Sequence, residues 1–140
     1  MDNKLKHLEF IQGVVNRLST NSFLLKGWSV LLVSALFVLA GNDSKIYFIY
    51  LAYFPAIAFW VLDGYFLWQE RLFRKLYDHV RVLNDDEIDY SMNTATFISQ
   101  TACWFGTTFS KTLIIFHGTV IGTILIVMIF VLIFFEAQGG

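Results

Sequence analysis

The chain has 140 residues, room for one domain, and 56% of them are hydrophobic while only 15% are charged, with 15 Phe, 6 Tyr and 4 Trp. Soluble chains carry about 25% charge, so a soluble domain is excluded, and the single Pro with helix-period patterning points to an α-helical protein in lipid. The net charge of −1 does not indicate a partner, and the lone Cys103 excludes an intrachain disulfide.

Residues 3–19 read as an amphipathic helix. Leu8, Ile11, Val15 and Leu18 recur at spacings of three and four, with Leu5 ahead of them. Lys4, Lys6, Glu9 and Arg17 supply the polar face, and Asp2 or Asn3 is placed to cap the start. Two settings stand for this helix: flat on the inner leaflet, or packed against other cytosolic helices, those of neighbouring subunits included. The cluster Ser19, Thr20, Asn21 and Ser22 is rich in capping types and predicts a turn into the first span.

The first span is 22–40, interrupted by Lys26. Its stem is expected to lie in lipid while its ammonium snorkels to the inner interface near Trp28. Signal peptides have short basic leaders, and the long, mixed-charge segment ahead of this block predicts an uncleaved span. The second span, 46–68, contains Pro55, expected to kink or loosen it, and Asp63. Beyond Phe59 only Gly64 weakens the helix. Glu70 with Arg74, Arg74 with Asp78, and Asp78 with Arg81 are spaced to pair along it. One helix is therefore predicted from 46 to about 82, ~55 Å against a ~30 Å hydrocarbon core, and the excess stands in the cytosol. Residues 83–93 form a polar loop. The helical pattern returns with Phe97, Ile98, Thr101, Trp104, Phe105 and Phe109, predicting a cytosolic helix over 94–112 that runs into the third span, 113–135. The expected fold is an all-α integral membrane protein of three transmembrane helices. An amphipathic N-terminal helix and a cytosolic helical hairpin, made by extensions of spans 2 and 3, complete it.

Basic residues orient it. Lys4, Lys6, Arg17 and Lys26 precede or begin the first span, and Arg71, Arg74, Lys75, Arg81 and Lys111 lie between the second and third; Lys45 stands apart. The positive-inside rule puts the N-terminus and 69–112 in the cytosol, with the 41–45 loop and the C-terminal tail outside.

No catalytic residue, metal or cofactor is expected. His7, His79 and His117 lack metal-ligand spacing, and no phosphate loop, dinucleotide fingerprint or nucleophile elbow is present. Asp85, Asp86, Glu87 and Asp89 lack the glycine and distal glutamate of a calcium loop and read as a solvated acidic turn. Asp63 is different, because a carboxylate inside a span is costly and marks a partner or a function. It either pairs with Lys26 or an arginine, or takes part in ion passage or gating.

Gly118 and Gly122 have the small-xxx-small spacing that permits close helix packing. Thr119 and Thr123 form a polar stripe beside them, extended towards the cytosol by Thr112 and Thr108, with Ile126, Phe130 and Phe134 beyond. That order suits ordinary packing, or a pore lining with a hydrophobic gate that closes by dewetting. Arg71, Arg74, Lys75 and Arg81, with His79, spread around the projecting helix. They suit lipid anchoring with intrahelical pairs, or an anionic ligand held by Lys and Arg, for which Tyr77, Tyr90 and Trp104 offer stacking surfaces.

The stretches NSFLLKGW, FWVLDGYFLWQERLFRKLYDHVR and IDYSMNT resemble a family of small bacterial three-span membrane proteins, among them the effectors of the Hailong anti-phage defence system. The likeness covers most of residues 5–120, and its motifs mark the family, not an activity. It implies a multi-pass protein of the bacterial inner membrane and a homotetrameric ion channel. The channel would be held shut by a short single-stranded DNA or nucleotide ligand made by a partner nucleotidyltransferase. Loss of that ligand would open the channel and depolarise the cell. The resemblance assigns no ligand residues. The residues themselves leave open a non-conducting membrane adaptor whose cytosolic hairpin docks a protein partner.

Overall fold

A computed structural model describes residues 2–43 and 46–138, with side chains over 2–41 and 46–134. Lys45, part of the expected outer loop and the end of the tail lie outside the described residues. Every regular element among them is helical. These are α1 (Asp2–Asp43), α2 (Tyr47–Val82), α3 (Trp104–Thr108) and α4 (Lys111–Gln138), with 3-10 turns at Asp85–Glu87 and Ala95–Gln100. Three of them, α1, α2 and α4, are long and apolar enough to cross a membrane. Helix α2 runs from Tyr47 through Pro55 to Val82 and includes the charged stretch beyond Trp68.

Helix α1 departs from expectation. It has 42 residues without a break, so the turn predicted at 19–22 is absent. The capping residue types there spend their hydroxyls elsewhere. Thr20 Oγ1 donates to the carbonyl of Asn16 at 2.9 Å, within the helix, and Ser22 Oγ donates sideways to Asp63 of α2. The amphipathic segment and the first span are therefore one helix, ~63 Å long.

α1 and α2 run antiparallel along this length. Near one end Lys4 Nζ donates to the carbonyl of Leu83 at 2.5 Å; towards the other, Val33 meets Ile49, Ala52 and Ala56. Two apolar cores lie along the pair. The first joins Ile11 of α1 to Leu72, Leu76 and Val80 of α2 and to Ile88 and Phe97 of the connecting segment. Of the two settings for the N-terminal helix, the chain's own α2 takes its apolar stripe. The second core joins Val33, Ile49, Ala52 and Ala56 to Ile124 of α4. Ala52 and Ala56 are fully buried, and their small side chains let the three helices approach closely.

The connection from Leu83 to Ser110 corrects a second expectation: 94–112 is not one helix. Asp89, Ser91 and Asn93 side chains accept in turn from the backbone N–H of Ser91, Asn93 and Ala95 at 3.0, 3.1 and 2.9 Å. Such local bonds divert the backbone from a helical ladder. Thr101 is extended, at φ −120° and ψ 145°, and Cys103 Sγ accepts from Gly106 N–H at 3.4 Å to start α3 afresh. The segment therefore lies as a strap against α2, anchored by buried Phe97. The long hairpin is built from α1 and α2, not from extensions of spans 2 and 3.

Candidate functional site

Asp63 is the centre of the site. Its position on α2 faces both other spans, and its side chain has 0% exposure. Lys26 of α1 approaches Oδ2 at 2.5 Å, Ser22 Oγ donates to Oδ1, and Lys26 Nζ also donates to Ser22 Oγ at 2.9 Å. Ser22 and Lys26 sit one helical turn apart, so both project from one face of α1 onto the same carboxylate. From α4, His117 Nε2 faces Asp63 Oδ2 at 2.8 Å. Against a carboxylate, Nε2 is the nitrogen that carries the proton, which leaves Nδ1 buried with no protein partner. One carboxylate thus ties all three spans together, its charge set directly against that of Lys26. Of the alternatives for Asp63, pairing with Lys26 is present. The ammonium of Lys26 turns inward to that pair, with 21% of its side chain exposed, rather than snorkelling away to water.

Sequence spacing does not mark His117 as a site residue, because a lone histidine in an apolar run has no local partner. The available signal was that it, like Asp63, is a polar group inside a span. Its ring lies parallel to Trp60 at 8° and 5.9 Å between centroids, and edge-on to Phe116 at 5.1 Å. Trp60 also donates its indole N–H to the carbonyl of Thr108 at 2.8 Å. This residue therefore couples the cluster to α3. Beside it Gly64 matters for space. A Cβ there would lie 2.1 Å from Thr108 Oγ1 and 2.9 Å from Thr108 Cα, so only glycine admits α3. Gly118 and Gly122 have no such role within the chain. A Cβ on Gly118 would meet only Ile114 Cγ2 at 3.9 Å, and one on Gly122 would meet nothing within 4 Å.

The basic residues divide. Arg71, Arg74 and Lys75 line one groove of about 310 Å³ with Asp78 and the strap residues Gln100, Thr101 and Ala102. Arg74 is also bonded to Glu70 at 2.8 Å, and Arg71 Nη1 donates to Thr107 Oγ1 at 3.5 Å. Arg81 is not on this groove and lies 3.7 Å from Asp78. Lys75 makes no hydrogen bond or ion pair among the described residues. Tyr77, Tyr90 and Trp104 do not line the groove: Tyr77 packs on the first core, Tyr90 lies edge-on to His7, and Trp104 lies edge-on to Tyr65. The acidic turn is a 3-10 turn closed by Asn84 N–H donating to Glu87 Oε2 at 3.0 Å, and no metal-holding group occurs among the described residues.

On α4 the inward stripe is Leu113, His117 and Ile124, all buried. About 120° around the helix, at 3.6 residues per turn, Thr112, Thr119, Thr123, Ile126, Phe130 and Phe134 share a face and are all exposed. Thr112, Thr119 and Thr123 line an open groove of about 510 Å³ with Ser34 and Phe37 of α1. Thr119 Oγ1 donates to the carbonyl of Ile115 at 2.6 Å and Thr123 Oγ1 to that of Thr119 at 2.9 Å. With their protons directed into the helix, these hydroxyls keep oxygen lone pairs for whatever lies on this face. No family model, curated protein or solved structure matches this chain.

Proposed function

We propose that the chain is the protomer of a homo-oligomeric ion channel, gated from the cytosol, with N-terminus inside and C-terminus outside. The observation that carries this reading is the uncovered face of α4. Its threonine oxygens lie towards the cytosolic end and Ile126, Phe130 and Phe134 follow, all exposed in the single chain, with Phe130 and Phe134 edging an open cleft beside Phe37 of α1 and Ile49 of α2. Several copies, four by the resemblance, would enclose a path whose apolar end closes by dewetting. Packing between copies and pore lining then fall on adjacent faces of one helix, with the open notch at Gly118 and Gly122 seating a neighbour.

The gating reading is supported by connectivity. A short single-stranded DNA or nucleotide ligand in the groove of Arg71, Arg74 and Lys75 would bridge α2 to the strap. Arg71 and Lys75 lie ~12 and ~18 Å along α2 from Asp63. The strap leads through α3 to Trp60 and His117, and so to the start of α4. In this role the protein is a relative of HalA, the Hailong anti-phage effector, in the bacterial inner membrane. A partner nucleotidyltransferase supplies the ligand, and opening depolarises the cell.

The test is ion flux through purified protein in liposomes, with and without short single-stranded DNA. Flux that the oligonucleotide suppresses is the expected outcome. A correctly assembled oligomer that passes no ion in either condition overturns the channel and leaves the adaptor.

A further inference from the structure

The strap carries two large aromatic side chains with no partner to cover them. Phe105 is 69% exposed and Phe109 59%, although both belong to a segment fixed by several contacts. Thr108 fills the space left by Gly64, Trp60 holds the Thr108 carbonyl, and the Trp60 ring lies edge-on to Phe109 at 5.6 Å. Arg71 reaches Thr107. A segment held this firmly does not expose two phenyl rings through looseness.

Height along the spans identifies what meets them. Gly64, against which α3 sits, lies ~26 Å along α2 from Tyr47, close to the inner limit of a ~30 Å hydrocarbon core. Ser22 and Lys26 are at that level through Asp63. Their neighbour Phe23 is 75% exposed, so the apolar outer surface of the spans reaches the level of Phe105 and Phe109. Tyr65, Trp68 and Trp104 form ring contacts at the same level, the residue types that gather at a membrane–water boundary. Lys111, exposed, follows two residues after Phe109.

We propose that α3 and Phe109 form a membrane foot, and that Phe105 and Phe109 insert into the inner leaflet of the bilayer. The occupant of this surface is lipid. The strap is thereby referenced to the leaflet, and so are Gln100, Thr101 and Ala102, which precede α3 directly and line the basic groove. The proposal rests on α1, α2 and α4 spanning the bilayer.

Nitroxide labels at Phe105→Cys and Phe109→Cys test it, in a Cys103→Ser background that keeps an acceptor for Gly106 N–H. Phe54→Cys, exposed on the apolar, membrane-spanning part of α2, and Gln100→Cys, on the strap, serve as references. The full chain is reconstituted in phosphatidylcholine–phosphatidylglycerol vesicles, and relaxation by oxygen is compared with relaxation by a water-soluble nickel chelate. Oxygen is expected to exceed nickel at Phe105, Phe109 and Phe54, with the reverse at Gln100. Nickel dominance at Phe105 and Phe109 with oxygen dominance at Phe54 overturns the foot and leaves the spans intact. Exclusion of both relaxers at Phe105 and Phe109 overturns it in favour of a protein cover. Nickel dominance at Phe54 overturns the spanning arrangement and the foot with it.

Discussion

The pair at the centre of the three spans makes an asymmetric prediction. Removing one partner of a buried ion pair costs about 3–5 kcal/mol, because the other charge is left without compensation. The two partners here are not equally trapped: Asp63 has 0% exposure and Lys26 21%. In Asp63→Asn the orphaned ammonium can swing along its stem towards the interface, which places the loss near the lower bound, about 3 kcal/mol. In Lys26→Met the orphaned carboxylate has no exit. Ser22 and His117 remain its hydrogen-bond partners, but fully buried Asp63 cannot turn to water, which places the loss near about 5 kcal/mol. The double variant buries no charge and is expected to cost about 1 kcal/mol, less than either single change. Reversible unfolding from a mild detergent into dodecyl sulfate, followed by the fluorescence of the 4 Trp, measures all three. A Lys26→Met variant milder than Asp63→Asn, or a double variant as unstable as the worse single one, refutes the assignment of this pair as the tie between spans.

Gly64→Ala gains about 1 kcal/mol of helix propensity but drives a Cβ to 2.1 Å from Thr108 Oγ1. With overpacking at up to about 3 kcal/mol, a net loss of about 2 kcal/mol is expected in the same unfolding assay. Gly122→Ala meets nothing in its own chain, so it should leave protomer stability unchanged or raise it by up to about 1 kcal/mol, while lowering the oligomer fraction seen by sedimentation. On the proposed channel reading, Phe130→Ser is expected to raise ion leak in liposome flux; an unchanged leak removes Phe130 from the proposed gate. Arg71→Ala and Lys75→Ala should each weaken binding of a short single-stranded oligonucleotide. Each should also flatten the slope of log affinity against log salt by about 0.7, whereas Arg81→Ala, off the groove and beside Asp78, should do neither in filter binding.

Much of the architecture was legible from residue order alone. Hydropathy over about 20 residues is a local property, and it placed the three spans. The run of charge pairs from Glu70 to Arg81 placed the charged extension of α2, since spacing along a helix decides which side chains meet. Asp63 announced itself by its type and depth. Tertiary structure decided what depended on a partner across a gap. Ser19 to Ser22 have the composition of a turn, yet α1 runs unbroken, with the Ser22 hydroxyl given to Asp63. Residues 94–112 have a helical pattern, yet they form a strap because Asn93, Thr101 and Cys103 settle the local backbone against α2. His117 and Gly64 gained their roles in the same way, one from a carboxylate 54 positions away and the other from the backbone of Thr108. Local pattern determines which segments are apolar enough to cross a bilayer. Which polar group stays buried, which glycine is required and where a helix stops follow from the atoms opposite, because in lipid a hydrogen bond or a charge is settled only by a partner brought from elsewhere in the fold.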